Sequence, residues 1–174
     1  MRKGFTLIEM MISVVILSII MLFLYQSYAA LNRSNSFYEK QAEIIKEELL
    51  KKQVLFLDFS LALNGSVEIL NQEKDEDVVF MQSANSLHKR FYPYIAYIVK
   101  EKKLYRLESL KPFLEYPLMA DSDFIVDYLG DIDGFRVYKS IKKEENSVLE
   151  NYLIHVDFTK EDDILLKVKV LNEA

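Results

Sequence analysis

The sequence is poor in residues that cross-link or interrupt a chain. It has no cysteine, no tryptophan, three prolines and four glycines in 174 residues. Without cysteine the protein uses no disulfide, although an extracytoplasmic location remains permitted. No proline precedes Pro93 and no glycine lies between Gly4 and Gly65. Nothing in this first third of the chain therefore predicts an early end to a helix.

The patterns of common catalytic sites are also missing. His88 and His155 lie 67 residues apart, and there is no cysteine to complete a zinc site. Gly65, Gly130 and Gly134 are isolated, so they form neither a nucleophile turn nor a phosphate-binding loop. Both histidines are interpreted as ordinary loop or strand residues. The sequence predicts that the protein is not an enzyme.

Positive charge is in short supply. The 27 acidic residues exceed the 22 basic ones, which gives a formal charge of −5. An acidic chain lacks the electrostatic footprint of a nucleic-acid-binding protein, so no direct nucleic-acid binding is predicted. Alternating residues such as Tyr152, Ile154, Val156 and Phe158 are interpreted as sheet core rather than as a surface for base stacking.

One long apolar run stands out near the N-terminus. The 23 residues from Met10 to Asn32 carry no formal charge. A helix of that length is roughly 35 Å long, enough to cross a hydrocarbon core of about 30 Å. The sequence predicts a transmembrane helix at residues 5–31.

Glu9 at the front of this run requires a cation. An acidic residue in a membrane helix costs on the order of 2.5–3.5 kcal/mol and usually has a partner. Arg2 and Lys3 are better suited to hold the N-terminus on the cytoplasmic side. If the chain were cut after Gly4, the new α-amine of Phe5 could pair with Glu9 of the same or a neighbouring chain.

Residues 2–9, Arg-Lys-Gly-Phe-Thr-Leu-Ile-Glu, together with the apolar run resemble the class III signal of type IV pilins and pseudopilins. The resemblance implies that residues 1–4 are a leader peptide, which a prepilin peptidase removes between Gly4 and Phe5 before methylating the new N-terminus. It also implies that Glu9 aligns subunits in a filament. The expected partners are the prepilin peptidase, other pilin or pseudopilin subunits and an inner-membrane assembly platform. The expected location is a single pass through the inner membrane, with the C-terminal domain extracytoplasmic.

Two other interpretations of the N-terminus compete with this one. The small residues around Ser27-Tyr28-Ala29 are compatible with cleavage of a secretory signal peptide. The glutamate and the length of the apolar run both argue against that reading. A plain single-pass anchor explains the length of the run and leaves Glu9 unexplained.

The helical pattern continues after the apolar run. Residues 32–65 are predicted to form an amphipathic extension of the same helix, with Asn64-Gly65 as its stop signal and Leu63 as its last residue. Apolar residues recur there at helical spacing at Tyr38, Ala42, Ile45, Leu49 and Phe56.

Residues 66–174 are predicted to be a β-rich soluble domain. Asp131-Ile132-Asp133-Gly134 is interpreted as a turn and Lys142–Asn146 as a charged loop. The resulting fold class is α+β, with the second half of the helix covering one face of an antiparallel sheet, as in pilins. Strands are predicted near residues 67–70, 78–81, 94–100, 104–107, 124–127, 135–139, 152–158 and 164–171.

Three further patterns resemble those of J-type minor pseudopilins and W-type minor pilins. They are Leu57-Asp58-Phe59 with Ala62, Tyr97-Ile98-Val99 with Leu104-Tyr105-Arg106, and the stretch from Leu129 to Tyr138. The resemblance implies a minor subunit of a type II secretion pseudopilus, or of the tip or initiation complex of a type IV pilus. A competence pilus for DNA uptake shares every one of these features. A membrane-anchored ligand-binding domain is the remaining alternative.

No cofactor is predicted, and calcium is the one metal with candidate ligands. Carboxylates clustered within 13 residues could supply the oxygen atoms that calcium prefers. Their spacing does not fit an EF-hand. The candidates are Asp121, Asp123, Asp127, Asp131 and Asp133.

Overall fold

The computed structural model describes residues 6–72, 75–113, 116–118, 123–144 and 147–171, with side chains at all of these positions except 142–144 and 147–149. The chain divides into two units, residues 1–47 and 48–174. One helix, α1 (Leu7–Ser60), begins in the first unit and ends in the second. Its continuity confirms the expectation drawn from the scarcity of glycine and proline.

The first unit contains the N-terminal part of α1, which is exposed and is apolar as far as Leu31. Its most apolar 18-residue window has a mean hydropathy of 2.8, and none of that window is buried. A soluble protein would cover such a surface, because exposed apolar area is unfavourable in water. By length and composition, α1 can cross a membrane.

The second unit contains the end of α1 and a seven-stranded sheet. Every strand pairs antiparallel with its neighbours in the chain, so the strand order follows the sequence. The strands are β1 (Glu68–Leu70), β2 (Val78–Gln82), β3 (Tyr94–Lys100), β4 (Lys103–Ser109), β5 (Phe124–Glu144), β6 (Ser147–Phe158) and β7 (Ile164–Lys169). The predicted α+β class, with a helix followed by antiparallel strands, is confirmed.

The main core lies between the last turns of α1 and the inner face of this sheet. Leu55 and Phe59 of α1 are fully buried there. The Phe59 ring lies 6.0 Å from that of Tyr97 on β3 and 5.6 Å from that of Tyr152 on β6. Burying such a side chain stabilises the fold by about 1.5–3 kcal/mol. The core therefore attaches the helix end to both halves of the sheet.

Two predicted strands, 124–127 and 135–139, are parts of the single strand β5. The predicted turn at Asp131–Gly134 is wrong, because this segment continues the strand through an irregularity in register between Ile132 and Gly134. β5 pairs with β4 through residues 124–131 and with β6 from Ile132 onward. A bulge adds local twist without ending the strand, which allows β5 to change partners where a turn was expected.

Two other boundaries also differ from the predictions. α1 ends at Ser60 rather than Leu63, because the Leu63 N–H donates to the carbonyl oxygen of Gln82 at 2.8 Å instead of continuing the helix. The predicted loop at Lys142–Asn146 is wrong at Lys142–Glu144, which extend β5 and pair with β6. The remaining two positions of that loop lie outside the described residues.

Candidate functional site

The N-terminal candidate residues lie at the start of α1. Gly4 and Phe5 fall outside the described residues, whereas Glu9 is exposed in the first turn. The Thr6 N–H and the Thr6 hydroxyl each donate to Glu9 Oε2 at 2.9 Å. Thr6 precedes the first helical residue and Glu9 is the third, so this is the reciprocal end of a capping box. Glu9 therefore satisfies a backbone donor that the helix itself leaves free.

The start of α1 favours the negative charge of Glu9 and would place a positive charge on Phe5 close to it. A carboxylate in the first helical turn interacts favourably with the helix dipole. Phe5 is covalently bonded to Thr6, whose amide Glu9 already accepts. An α-amine created at Phe5 would therefore arise one residue from an atom that the carboxylate contacts.

The five candidate calcium ligands are distributed along and before β5. Asp121 lies outside the described residues, and Asp123 immediately precedes the strand. The other three carboxylates are bound by the protein's own donors: Asp127 by Arg106 at 3.3 Å, Asp131 by the Tyr128 hydroxyl at 2.6 Å and Asp133 by Lys102 at 3.1 Å. Within the described ranges no three His, Cys, Asp or Glu side chains are grouped so that they could hold a metal ion.

A buried polar cluster lies where α1 ends on the sheet. Asp58 comes from the inward face of α1, and Tyr97 and Arg106 come from the inner faces of β3 and β4, where they are register partners. Arg106 Nε donates to Asp58 Oδ2 at 2.7 Å, and the Tyr97 hydroxyl donates to the same oxygen at 2.6 Å. All three residues are fully buried. Desolvation and the negative charge of Asp58 raise the pKa of the Tyr97 hydroxyl well above its usual value.

Arg106 is the centre of this cluster. Its Nη1 donates to Glu108 at 2.8 Å and to Asp127 at 3.3 Å, in addition to the contacts with Asp58. Burial opposes the guanidinium charge, but hydrogen bonds and charge from Asp58 outweigh it and raise the pKa of Arg106. For Glu108 burial by itself would raise the pKa, because it disfavours the charged carboxylate. Hydrogen bonds from Ser86, Arg106 and the Leu87 amide outweigh burial and lower the pKa below its usual value. The buried charge of Arg106 is therefore neutralised by carboxylates within the same cluster.

The same carboxylates hold the connection between β2 and β3, residues 83–93, here called the 83–93 loop. Asn85 Nδ2 donates to Asp58 Oδ1 at 2.6 Å, and His88 Nε2 lies 3.0 Å from both oxygens of Asp127. Glu108 accepts from the Ser86 hydroxyl at 2.6 Å and from the Leu87 amide at 3.0 Å. In the described part of the chain every buried side-chain nitrogen and oxygen has a hydrogen-bond partner. One arginine thus organises three carboxylates, and these position four successive loop residues.

Sequence reasoning found part of this cluster. The patterns of the minor-subunit resemblance contain Asp58, Tyr97 and Arg106, but they do not predict that these side chains contact one another. His88 was interpreted as an ordinary loop residue. It does lie in a loop, and it contacts Asp127. The sequence does contain a signal for this pairing. It places one charged residue on the inward face of an otherwise apolar helix end and another at an inward position of β4, and buried charges are usually paired.

Comparison with known proteins bears on the N-terminus. The family model of the prokaryotic N-terminal methylation motif matches residues 1–25. Comparisons with curated proteins and with solved structures find no match. The matched residues include Gly4, Phe5 and Glu9 and the first part of the exposed apolar helix. The chain therefore carries the class III signal of the type IV pilin superfamily.

Proposed function

We propose that this chain is a minor pilin or pseudopilin subunit that α1 builds into a type II secretion pseudopilus or into the tip or initiation complex of a type IV pilus. The observation that carries the proposal is the methylation motif at residues 1–25. The exposed apolar surface of α1 supports it, because such a surface needs either lipid or other helices. A pilin-type motif points to a structural subunit rather than to an enzyme.

The motif and the apolar helix fit a single-pass anchor in the inner membrane. Arg2 and Lys3 flank the apolar run and favour a cytoplasmic N-terminus, since positive flanks are retained on that side. Residues 48–174 would then fold outside the cytoplasm, and removal of residues 1–4 would leave 20 basic residues against 27 acidic ones.

Assembly in this proposal is an exchange of environments for α1. The helix leaves lipid and packs against the corresponding helices of other subunits, while an assembly platform in the inner membrane drives its extraction. Glu9 then pairs with the α-amine of Phe5 on a neighbouring subunit. The pairing keeps the carboxylate neutralised in an apolar environment, where an unpaired charge would be strongly destabilising.

Processing is tested first, by mass analysis of the membrane-extracted protein from cells with and without prepilin peptidase. We expect a chain that begins at N-methylated Phe5 only when the peptidase is present. An intact Met1 in both strains, or a chain that begins near Ala30, would overturn the proposal. A deletion strain then distinguishes a secretion pseudopilus from the alternative of a competence pilus. Loss of secreted enzymes indicates the first, and loss of transformation indicates the second.

The role of Glu9 is tested separately from its capping of the helix. Glu9→Gln retains an acceptor for the Thr6 amide but removes the charge, whereas Glu9→Val removes both. We expect both variants to insert in the membrane and both to be incorporated poorly into filaments. Glu39→Gln, at an exposed position of α1 beyond the apolar run, serves as the control and should assemble normally. Normal incorporation of Glu9→Gln would show that the charge has no role in assembly.

A further inference from the structure

Two tyrosines mark the C-terminal end of the most apolar part of α1. Tyr25 and Tyr28 lie three residues apart in the helix, so their side chains share one face. They are 72% and 64% exposed. Arg33, five positions after Tyr28, is the first charged residue after Glu9. The tyrosines therefore lie between a segment that suits hydrocarbon and a residue that requires a polar environment.

The hydroxyl groups along this part of α1 fall into two classes. The hydroxyls of Ser13 and Ser18 each donate at 2.8 Å to the backbone carbonyl oxygen four residues earlier. The helix itself satisfies both serines, so they can lie in hydrocarbon, where no water is available. By contrast, no group of the described residues binds the hydroxyl of Tyr25 or Tyr28. These two hydroxyls require a hydrogen-bond partner from outside the chain.

We propose that Tyr25 and Tyr28 bind the polar interface of the bilayer, the layer in which lipid carbonyl and phosphate groups and water meet the hydrocarbon. A tyrosine side chain suits this layer because its ring is apolar and its hydroxyl is polar. The two side chains thereby hold α1 at one depth in the membrane. This contact rests on the proposed function, which places α1 in the membrane, and goes beyond it, because the length of an apolar run does not fix a depth.

The same depth places Glu9 near the opposite surface of the bilayer. Tyr25 and Tyr28 lie 16 and 19 positions after Glu9. These separations correspond to roughly 24 and 28 Å along an untilted helix, and the hydrocarbon core is about 30 Å thick. The Glu9 side chain extends further towards the N-terminus, because its Oε2 accepts from the Thr6 amide at 2.9 Å. Its carboxylate therefore reaches the second interface before assembly and enters the apolar layer only when α1 is extracted.

The sequence has no tryptophan, so a single introduced tryptophan reports the depth by its fluorescence. The purified full-length chain is placed, without other subunits and at low density, in phosphatidylcholine and phosphatidylglycerol vesicles that contain brominated lipid. Bromine near the head groups should quench Tyr25→Trp about twofold more than bromine deep in the acyl chains. Leu17→Trp, roughly 12 Å further along the helix, should show the reverse preference.

Two results of this measurement would overturn the proposal. Stronger quenching of Tyr25→Trp by the deep bromine would place this position inside the hydrocarbon. Absence of quenching by either lipid would show that water or a second copy of the chain covers it instead of lipid.

The anchoring role is tested by cysteine labelling, because the chain has no cysteine of its own. Ala30→Cys, at an exposed position two residues after Tyr28, is labelled with a membrane-impermeant maleimide in spheroplasts that lack the assembly platform. Adding Tyr25→Leu and Tyr28→Leu extends the apolar run, so α1 should move deeper and the labelling rate should fall about fivefold. Adding Tyr25→Trp and Tyr28→Trp preserves a ring with a polar group and should leave the rate unchanged.

Phe37 and Tyr38 provide the matched control. This aromatic pair is also exposed on α1 but lies beyond Arg33. Phe37→Leu with Tyr38→Leu should therefore leave the labelling of Ala30→Cys unchanged. Equal rates with and without the leucine substitutions at Tyr25 and Tyr28 would overturn the anchor.

The N-terminus and the membrane fraction are analysed in the same samples, so that failure of the anchor is distinguished from failure of the proposed function. An inserted chain that begins at Phe5 but has the same labelling rate in the leucine variant overturns the anchor alone. A chain that keeps Met1, or that carbonate extracts from the membrane, overturns the proposed function.

Discussion

Asp58 of α1 and Arg106 of β4 form a bidentate ion pair that is completely buried. Arg106 Nε donates to Asp58 Oδ2 at 2.7 Å, and Nη2 donates to Oδ1 at 3.2 Å. The planar fork of the guanidinium matches a carboxylate in only a few orientations, so the pair fixes the rotation of the helix end on the sheet as well as its position. The end of α1 is thereby joined to the sheet of residues 48–174 through a contact with a defined geometry.

Asp58→Asn should destabilise residues 48–174 by about 3–5 kcal/mol, because it leaves the Arg106 charge buried without its main partner. Urea unfolding of the full-length chain in detergent measures this loss. Asp133→Asn, which removes an exposed ion pair with Lys102, is the matched control and should cost less than about 1 kcal/mol. Similar losses in the two variants would contradict the central role of the buried pair.

The pH dependence of stability should reveal Glu108. The pKa of Glu108 is lower in the folded protein than its ordinary value of about 4.5. Its contribution to stability is therefore complete above that pH and is lost as the pH falls through the folded pKa. We expect the unfolding midpoint of the protein to decrease when the pH is lowered below about 4.5. Glu108→Gln should be less stable at neutral pH and should lose less stability on acidification. If the stability of Glu108→Gln decreased on acidification as steeply as that of the wild type, other carboxyl groups would govern the loss of stability in acid.

Gly130 and Gly134 on β5 offer a paired test of backbone space. Gly130 has φ 151°, and a Cβ there would lie 2.7 Å from the Phe158 ring, whereas a Cβ on Gly134 would meet nothing closer than 3.6 Å. Gly130→Ala should therefore cost about 2–4 kcal/mol through strain and overpacking, and Gly134→Ala should cost less than about 1 kcal/mol. Thermal unfolding of both variants measures the difference, and equal shifts would contradict it.

Several elements were predictable because their signals are local. The 23 uncharged residues of the apolar run, the continuity of α1 and the strand Tyr94–Lys100 follow from composition and periodicity. The break between residues 127 and 135 was predicted wrongly. Asp131-Ile132-Asp133-Gly134 has the composition of a turn, but Ile132 is buried and its N–H donates to the carbonyl oxygen of Lys102 in the β3–β4 turn at 2.9 Å. These tertiary contacts keep the segment extended.

By itself the sequence determined the membrane-spanning character of the N-terminal helix, the processing signal and the α+β class, because each depends on neighbouring residues and on the solvent. Only the tertiary structure decided which charges meet. Asp58 and Arg106 are 48 positions apart, and His88 and Asp127 are 39 apart. Their pairing depends on where α1 ends, on the register of β3 with β4 and on the path of the 83–93 loop. A buried charge requires a partner, but its identity is set by the packing that excludes water around it.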